Sequence, residues 1–271
     1  MKPFIIDCHT HFESIAGAEH YFSLNPNSFV LTMRSAIFTA EHRDWFLELD
    51  RQLISKFPNI ATIEAIDVSA NIPQQLKTIK TDMEERKIVA IKIFLGYQSV
   101  YANDAALEPV YKFAAENNLS IIYHTGVLGK SYKNALYKYT TVLPIDEVAA
   151  KYPTVNFLAS HFDFPKMLDA AGVITKNDNV FTDFSGVLEG DSGPDIINQL
   201  TADLRTVRNY YSDIYKYMVF ATDYHGPDKL LSEVSAYIDI IRKIFPPAEQ
   251  SAIFHENALR VFPRLKHFCR Y

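Results

Sequence analysis

Six residues of this sequence combine reactive side chains with a placement that invites chemistry: His9, His11, Lys92, His124, His161 and Asp223. His9 and His11 stand two apart in "FIIDCHTHFE", residues 4–13. Alternate residues of a strand share a face, so an H-x-H pair at a strand end can offer two imidazoles to one ion. His124 ends the run "LSIIYH", His161 ends "VNFLASH" and Asp223 ends "YMVFATD". Neutral imidazole and carboxylate suit Zn²⁺, Mn²⁺ or Fe²⁺. Each residue alone has an ordinary reading: a satisfied core histidine for His124, a helix cap before "GPDKLL" for Asp223, a barrel ion pair for Lys92. Taken together, the four histidines and Asp223, each at a strand end, predict a metal site. Strict alternation puts Asp7 on the face of His9 and His11, where it hydrogen-bonds rather than coordinates, and puts Ile6, Cys8 and Thr10 on the other face. In "IVAIKIFL", it turns Lys92 inward with Ala90 and Phe94, and Val89, Ile91, Ile93 and Leu95 outward. The remaining histidines (His20, His42, His225, His255, His267) do not end such runs and read as surface or helix residues, with His225 at the rim of the site.

Positioning these groups takes a frame of strands with a common end. Apolar, β-branched runs start near Phe4, Ser28, Asn59, Ile88, Leu119, Val155, Asn179 and Tyr217, eight in all. Stretches with apolar residues three and four apart lie between many of them, among them "EHRDWFLELDRQLISKF", "PQQLKTIKTDMEERK", "ALEPVYKFAAENN", "PIDEVAAKY" and "KLLSEVSAYIDIIRKIF". Alternating strands and helices imply βαβ units and a parallel sheet. Eight units in 271 residues predict an α/β fold, a (β/α)8 TIM barrel forming a single domain over 1–271. In such a barrel the C-terminal strand ends meet at one mouth, where His9, His11, His124, His161 and Asp223 would gather. A doubly wound open sheet is the alternative, but no glycine-rich phosphate loop follows any run.

The composition narrows the partners. The balance of 27 basic against 32 acidic residues gives a net charge of −5, which argues against general nucleic-acid binding. A small substrate remains, and an acidic one is compatible with Lys92, Arg34 and Lys130 near the mouth. Two cysteines, Cys8 and Cys269, do not make a disulfide framework, and a cytoplasmic setting is expected. No apolar run reaches the length of a membrane helix. The tyrosine-rich stretch "GKSYKNALYKYTTV" after His124 reads either as a substrate-covering loop or as a solvated connection. A homo-oligomer stays open as an assembly.

The set "DCHTHF", "IKIF", "YHTG", "ASHFDFP", "FATDYHGP" and "HENALRVF" resembles the amidohydrolase superfamily, in its amidohydrolase-related (amidohydrolase 2) branch of TIM-barrel hydrolases and decarboxylases. The resemblance spans Ile5 to about Phe262. It implies that His9, His11, His124 and Asp223 hold a divalent metal, Zn²⁺ first with Mn²⁺ or Fe²⁺ as alternatives, and one ion rather than two. It implies catalytic roles for Asp223 and His161, with His161 a ligand only if a second ion binds. Lys92 would be an uncarboxylated ammonium that binds substrate, and Asn257 would be structural. Ala221 stands where the family often has glycine, and "YHGP" after Asp223 departs from typical members. The activity implied is hydrolysis of a small-molecule amide, ester or lactone-type bond, with non-oxidative decarboxylation of an aromatic or unsaturated acid as the alternative. A nuclease of the TatD group, which also begins with H-x-H, is disfavoured by Lys92 on the fourth run, where that group has an acidic ligand. A non-catalytic metal-binding barrel is disfavoured by the complete polar set.

Overall fold

The β-branched runs pair side by side because the helices between them cover one face, leaving parallel strands the lowest-cost way to satisfy every backbone group. The structure, a computed structural model, describes residues 3–34, 39–188, 192–226 and 231–269, and for 39–44 and 231–233 the backbone alone. Among the described residues seven parallel strands run in sequence order: β1 (Ile5–Thr10), β2 (Ser28–Met33), β3 (Ile60–Ala65), β4 (Ile88–Ile93), β5 (Ser120–His124), β6 (Phe157–Ser160) and β7 (Val180–Thr182). Between and after them lie α1 (Ile15–Leu24), α2 (Thr39–Lys56), α3 (Ile72–Asp82), α4 (Glu108–Asn117), α5 (Leu143–Lys151), α6 (Met167–Lys176), α7 (Pro194–Tyr210) and α8 (Leu231–Ile244). The fold is a TIM barrel.

The eighth run does not form a regular strand. Its backbone still closes the barrel: the Val219 N–H donates to Thr182 O at 2.9 Å, the Cys8 N–H to Phe220 O at 2.9 Å and the Asp223 N–H to His9 O at 2.8 Å. Regular pairing fails because other groups claim the ladder positions. The Phe220 N–H turns to Ile253 O, the Thr222 N–H to the Asp7 carboxylate, and Asp223 takes a left-handed backbone, φ +60°.

Two apolar layers hold the frame. Inside the barrel, Ile6, Cys8, Phe29, Leu31, Ala61, Ile122, Leu158 and Val219 pack together, and Ala258, Val261, Phe262 and Leu265 close the N-terminal end. Outside, Ile91, Ile93, Ile121, Tyr123 and Phe157 meet the helices. Val89 joins the inner layer beside Ala90, against the alternation expected of β4, because the β3–β4 register shifts between Thr62 and Ile63. Three helices went unread in the sequence: α1, α6 and α7. The third carries its apolar residues Ile197, Leu200, Leu204 and Val207 at helical spacing. Helix α3 stops at Asp82, short of the Lys87 that its pattern suggested. The run from Ser28 becomes β2, and its tail at 35–38 lies outside the described residues. Cys8 and Cys269 are both free and buried. No helix among the described residues is long and apolar enough to cross a membrane.

Candidate active site

A break in β1 sets up the site. The β1–β2 register shifts between Asp7 and Thr10, so strict alternation does not hold there. Ile6 and Cys8 point into the barrel. Asp7 instead ties the strand to its neighbours. One carboxylate oxygen accepts from the Tyr21 hydroxyl of α1 at 2.7 Å and the Thr222 hydroxyl at 2.6 Å. The other accepts from the Thr222 and His9 N–H groups at 3.1 and 3.3 Å. Past the shift, His9 and His11 bring their Nε2 atoms within 3.2 Å of each other. Asp223 Oδ1 lies 3.2 Å from each of them.

The residues that end the sixth and eighth runs are held in backbone that L-residues avoid. His161, Phe162 and Asp163 all have positive φ, +64°, +51° and +49°, and Asp223 has +60°. Left-handed backbone costs about 1–2 kcal/mol per non-glycine residue, so the surroundings must enforce it. The His161 N–H is tied to Asp183 Oδ1 at 3.1 Å and the Asp163 N–H to Thr125 Oγ1 at 3.0 Å. The Val142 N–H and Lys166 ammonium grip the Asp163 carboxylate at 3.2 and 3.0 Å. Strain of this kind concentrates at functional sites. Gly186 lets the next loop approach: a Cβ there would stand 2.7 Å from Asp223 Oδ2 and 2.8 Å from His161 Nδ1.

Burial decides the charge of the imidazoles. It pushes His11 down to about 3, helped by the nearby His225, and His161 down to about 4. Burial also lowers His124 well below the ordinary histidine range. These rings are neutral at pH 7 and present lone pairs. Asp223 is held well below the ordinary carboxylate range: burial opposes ionisation, but the surrounding histidines outweigh it. His225, beyond the cluster, stacks on His11 at 4.4 Å and reaches Asp223 Oδ1 at 3.6 Å. Its burial is outweighed by Asp223 and Glu13, which raise it to about 9. Two buried Nε2 atoms facing each other across 3.2 Å beside an ionised carboxylate form a donor set that fits a divalent cation.

The structure brings His9, His11 and Asp223 into one cluster. His161 and His124 stand beside it, with ring centres 5.0 Å from His9 and 4.8 Å from His161 respectively. His124 Nε2 lies 2.6 Å from Val127 O. A carbonyl only accepts, so that nitrogen carries the proton and Nδ1 is the one left to bind. Lys92 is fully buried, donates to Ser160 Oγ at 2.8 Å and lies 5.4 Å from the Phe94 ring. Burial pushes it down to about 8, which still leaves it mainly an ammonium at pH 7. It does not line the cavity above the cluster.

That cavity, about 240 Å³, is walled by Met33, Phe46, Phe94, Tyr97 and Tyr132, with Arg34, Glu13 and His225 also lining it. Tyr132 comes from the tyrosine-rich stretch after His124; Lys130 is exposed and does not line the cavity. Arg34 follows β2 and is buried. Its guanidinium donates to Phe12 O at 2.8 Å and pairs with Asp50. Asp50 also takes Arg86 at 2.7 Å, and Arg86 takes Glu64 at 2.5 Å. Four buried charges thus alternate in sign through the barrel wall up to the mouth.

Sequence reasoning missed Asp183 and Ser185. Asp183 Oδ1 accepts from the Ser185 hydroxyl at 2.6 Å and the Ser185 N–H at 2.9 Å. Its Oδ2 lies 3.6 Å from His9 Nδ1. Asp183 follows β7 directly, so the strand-end rule that selected His124 and His161 would have found it.

Comparison with known proteins places the chain in a family and its fold among solved structures. The amidohydrolase family (Amidohydro_2) matches residues 6–264. No curated protein matches the chain significantly. Solved structures with the same fold include an uncharacterized TIM-barrel protein from Bordetella bronchiseptica, 16% identical, TM-score 0.69, covering 97% of this chain and 99% of the other. A 4-oxalomesaconate hydratase from Rhodopseudomonas palustris is 15% identical, TM-score 0.65, with 97% of each chain covered. A 5-carboxyvanillate decarboxylase from Novosphingobium aromaticivorans, holding manganese and 3-methoxy-4-hydroxy-5-nitrobenzoic acid, is 11% identical, TM-score 0.62, covering 96% and 97%. At these identities the likeness speaks for the fold. With the family matched over nearly its whole length, this chain belongs to the amidohydrolase family.

Proposed function

We propose that this protein is a metal-dependent hydrolase of a small, planar carboxylic acid derivative, acting on an amide, ester or lactone-type bond. The observation that carries the reading is the approach of His9 Nε2, His11 Nε2 and Asp223 Oδ1 to 3.2 Å of one another at the floor of the cavity. His9, His11 and Asp223 would hold one ion, Zn²⁺ first, with His124 joining through Nδ1. When bound, the ion supplies Lewis acidity toward water and a substrate carbonyl. Asp223, an ionised carboxylate, takes the proton of the attacking water and passes it to the leaving group. His161 donates from Nδ1 to Ser185 O at 2.8 Å, so its Nε2 lone pair can accept from that water and orient it. Arg34 at the wall binds a substrate carboxylate, and the aromatic rings at the wall stack on a planar substrate. Lys92 adds positive charge beneath the site.

Decarboxylation of an aromatic or unsaturated acid is the second reading. The aromatic lining with Arg34 favours it, as does the aromatic acid held by the decarboxylase of the same fold. One experiment separates them. Protein purified without chelator is assayed for metal by elemental analysis, then given aromatic and unsaturated acids and their esters, amides and lactones. Release of acid from the derivatives supports hydrolysis; release of CO₂ from the free acids supports decarboxylation. Protein that holds no metal and takes up none on reconstitution refutes both. Asp223→Asn and His161→Asn should each lower kcat by about 10²-fold or more, with metal retained in His161→Asn. Metal loss in that variant would point to a second ion.

A further inference from the structure

The turn after β7 sets acceptors against Nδ1 of two site histidines. Ser185 Oγ has one proton, and at 2.6 Å it is committed to Asp183 Oδ1. Toward His9 Nδ1, 3.3 Å away, the same oxygen can therefore only accept. Asp183 Oδ2, 3.6 Å from that nitrogen, is a carboxylate oxygen and also only accepts; it is buried and has no other partner among the described residues. Both groups around His9 Nδ1 thus call for a proton on it, two acceptors against the single one, Asp223 Oδ1, that faces Nε2 at 3.2 Å. His161 Nδ1 faces Ser185 O at 2.8 Å, again an acceptor only. The unit is fixed in place by Asp183 Oδ1, which receives the N–H groups of both His161 and Ser185.

We propose that Asp183 and Ser185 are positioning residues: one hydrogen-bonded unit after β7 holds His9 and His161 as Nδ1–H tautomers and leaves Nε2 of each bare toward the site. For His9 this is the nitrogen that faces His11 and Asp223. A neutral imidazole binds a cation only through its unprotonated nitrogen, and the partner of the other nitrogen selects the tautomer. The grouping of His9, His161 and Asp183 is therefore a proton-holding device and not a second ion site, which leaves one ion for the cluster. This inference rests on the metal reading of His9, His11 and Asp223, but its primary readout does not.

The test is the ¹⁵N NMR spectrum of the imidazoles in chelator-treated, metal-free protein, followed by titration with Zn²⁺ alone. The wild-type protein is expected to show His9 and His161 protonated at Nδ1. In Asp183→Asn the amide oxygen stays on the three donors at the Oδ1 position, so the NH₂ faces His9 Nδ1. His9 should shift to the Nε2–H form, and Zn²⁺ affinity should fall by about 10–100-fold. Ser185→Ala keeps the carboxylate and should keep His9 protonated at Nδ1. A wild-type His9 protonated at Nε2 overturns the proposal, and that measurement needs no variant to fold. So does His9 remaining Nδ1–H in Asp183→Asn, whatever the affinity, or a Zn²⁺ affinity unchanged in that variant. If Zn²⁺ binds to no form of the protein, the metal reading fails while the tautomers remain measurable.

Discussion

Asp7 shows how much one buried side chain can organise. Four donors from three elements meet its two oxygens: Tyr21 of α1, the hydroxyl and N–H of Thr222, and the N–H of His9. Alanine at this position would leave those donors buried without an acceptor, and each such loss costs about 1–3 kcal/mol. Because Tyr21 and Thr222 hydroxyls can rotate toward other acceptors, Asp7→Ala is expected to destabilise the protein by roughly 2–4 kcal/mol rather than the full sum. Urea denaturation would measure it; a change below about 0.5 kcal/mol would show that the donors find new partners. At this scale the sequence was partly legible. His9, His11, His124, His161 and Asp223 were visible because each ends an apolar run. The direction of Asp7 was not, because a one-residue register shift reverses a strand's faces and leaves no mark on composition. Asp183 lacked a neighbouring histidine in sequence to draw notice; its partners His9 and His161 are neighbours only in space.

The closing segment, from Met218 to Tyr224, depends on an element far along the chain. Asn257, in the helical turn Asn257–Val261, donates its amide to both Tyr215 O and Met218 O at 2.7 Å. The segment has few ladder bonds of its own, so this clamp carries a larger share of its stability than a side chain beside a regular strand would. Asn257→Ala should cost about 1–3 kcal/mol and, more tellingly, speed hydrogen exchange at the amides of Val219 and Asp223. Unchanged exchange there would remove Asn257 from the clamp. Apolar, β-branched runs located the seven regular strands among the described residues within a few positions. The eighth looked the same in sequence because the hydrogen bonds that disrupt its ladder come from Asp7 and Ile253, which no local pattern reveals. Helix α7 went unread although its apolar residues Ile197, Leu200, Leu204 and Val207 stand at helical spacing.

The molecule separates its stability from its chemistry along the barrel axis. At the N-terminal end, Val261, Phe262 and Leu265 seal the inner core, while the histidine cluster occupies the opposite end. Phe262→Ala removes a fully buried ring and should cost about 3–5 kcal/mol in a denaturant titration while leaving Zn²⁺ affinity unchanged; a parallel loss of metal would mean the two ends are mechanically linked. Along the wall, by contrast, the ends are joined by charge. Arg34 at the mouth shares Asp50 with Arg86, and Arg86 is shared with Glu64. Removing Arg34 alone leaves one buried guanidinium facing two carboxylates, so its loss is expected to be felt in folding, whatever it does to binding. Substrate preference at this mouth is therefore not free to drift one substitution at a time. If Arg34 binds a substrate carboxylate as proposed, a lineage exchanging an acidic substrate for a neutral one would have to change Arg34 and Asp50 together, or pass through a poorly folded intermediate. The wall acts as an evolutionary ratchet on what the mouth can accept.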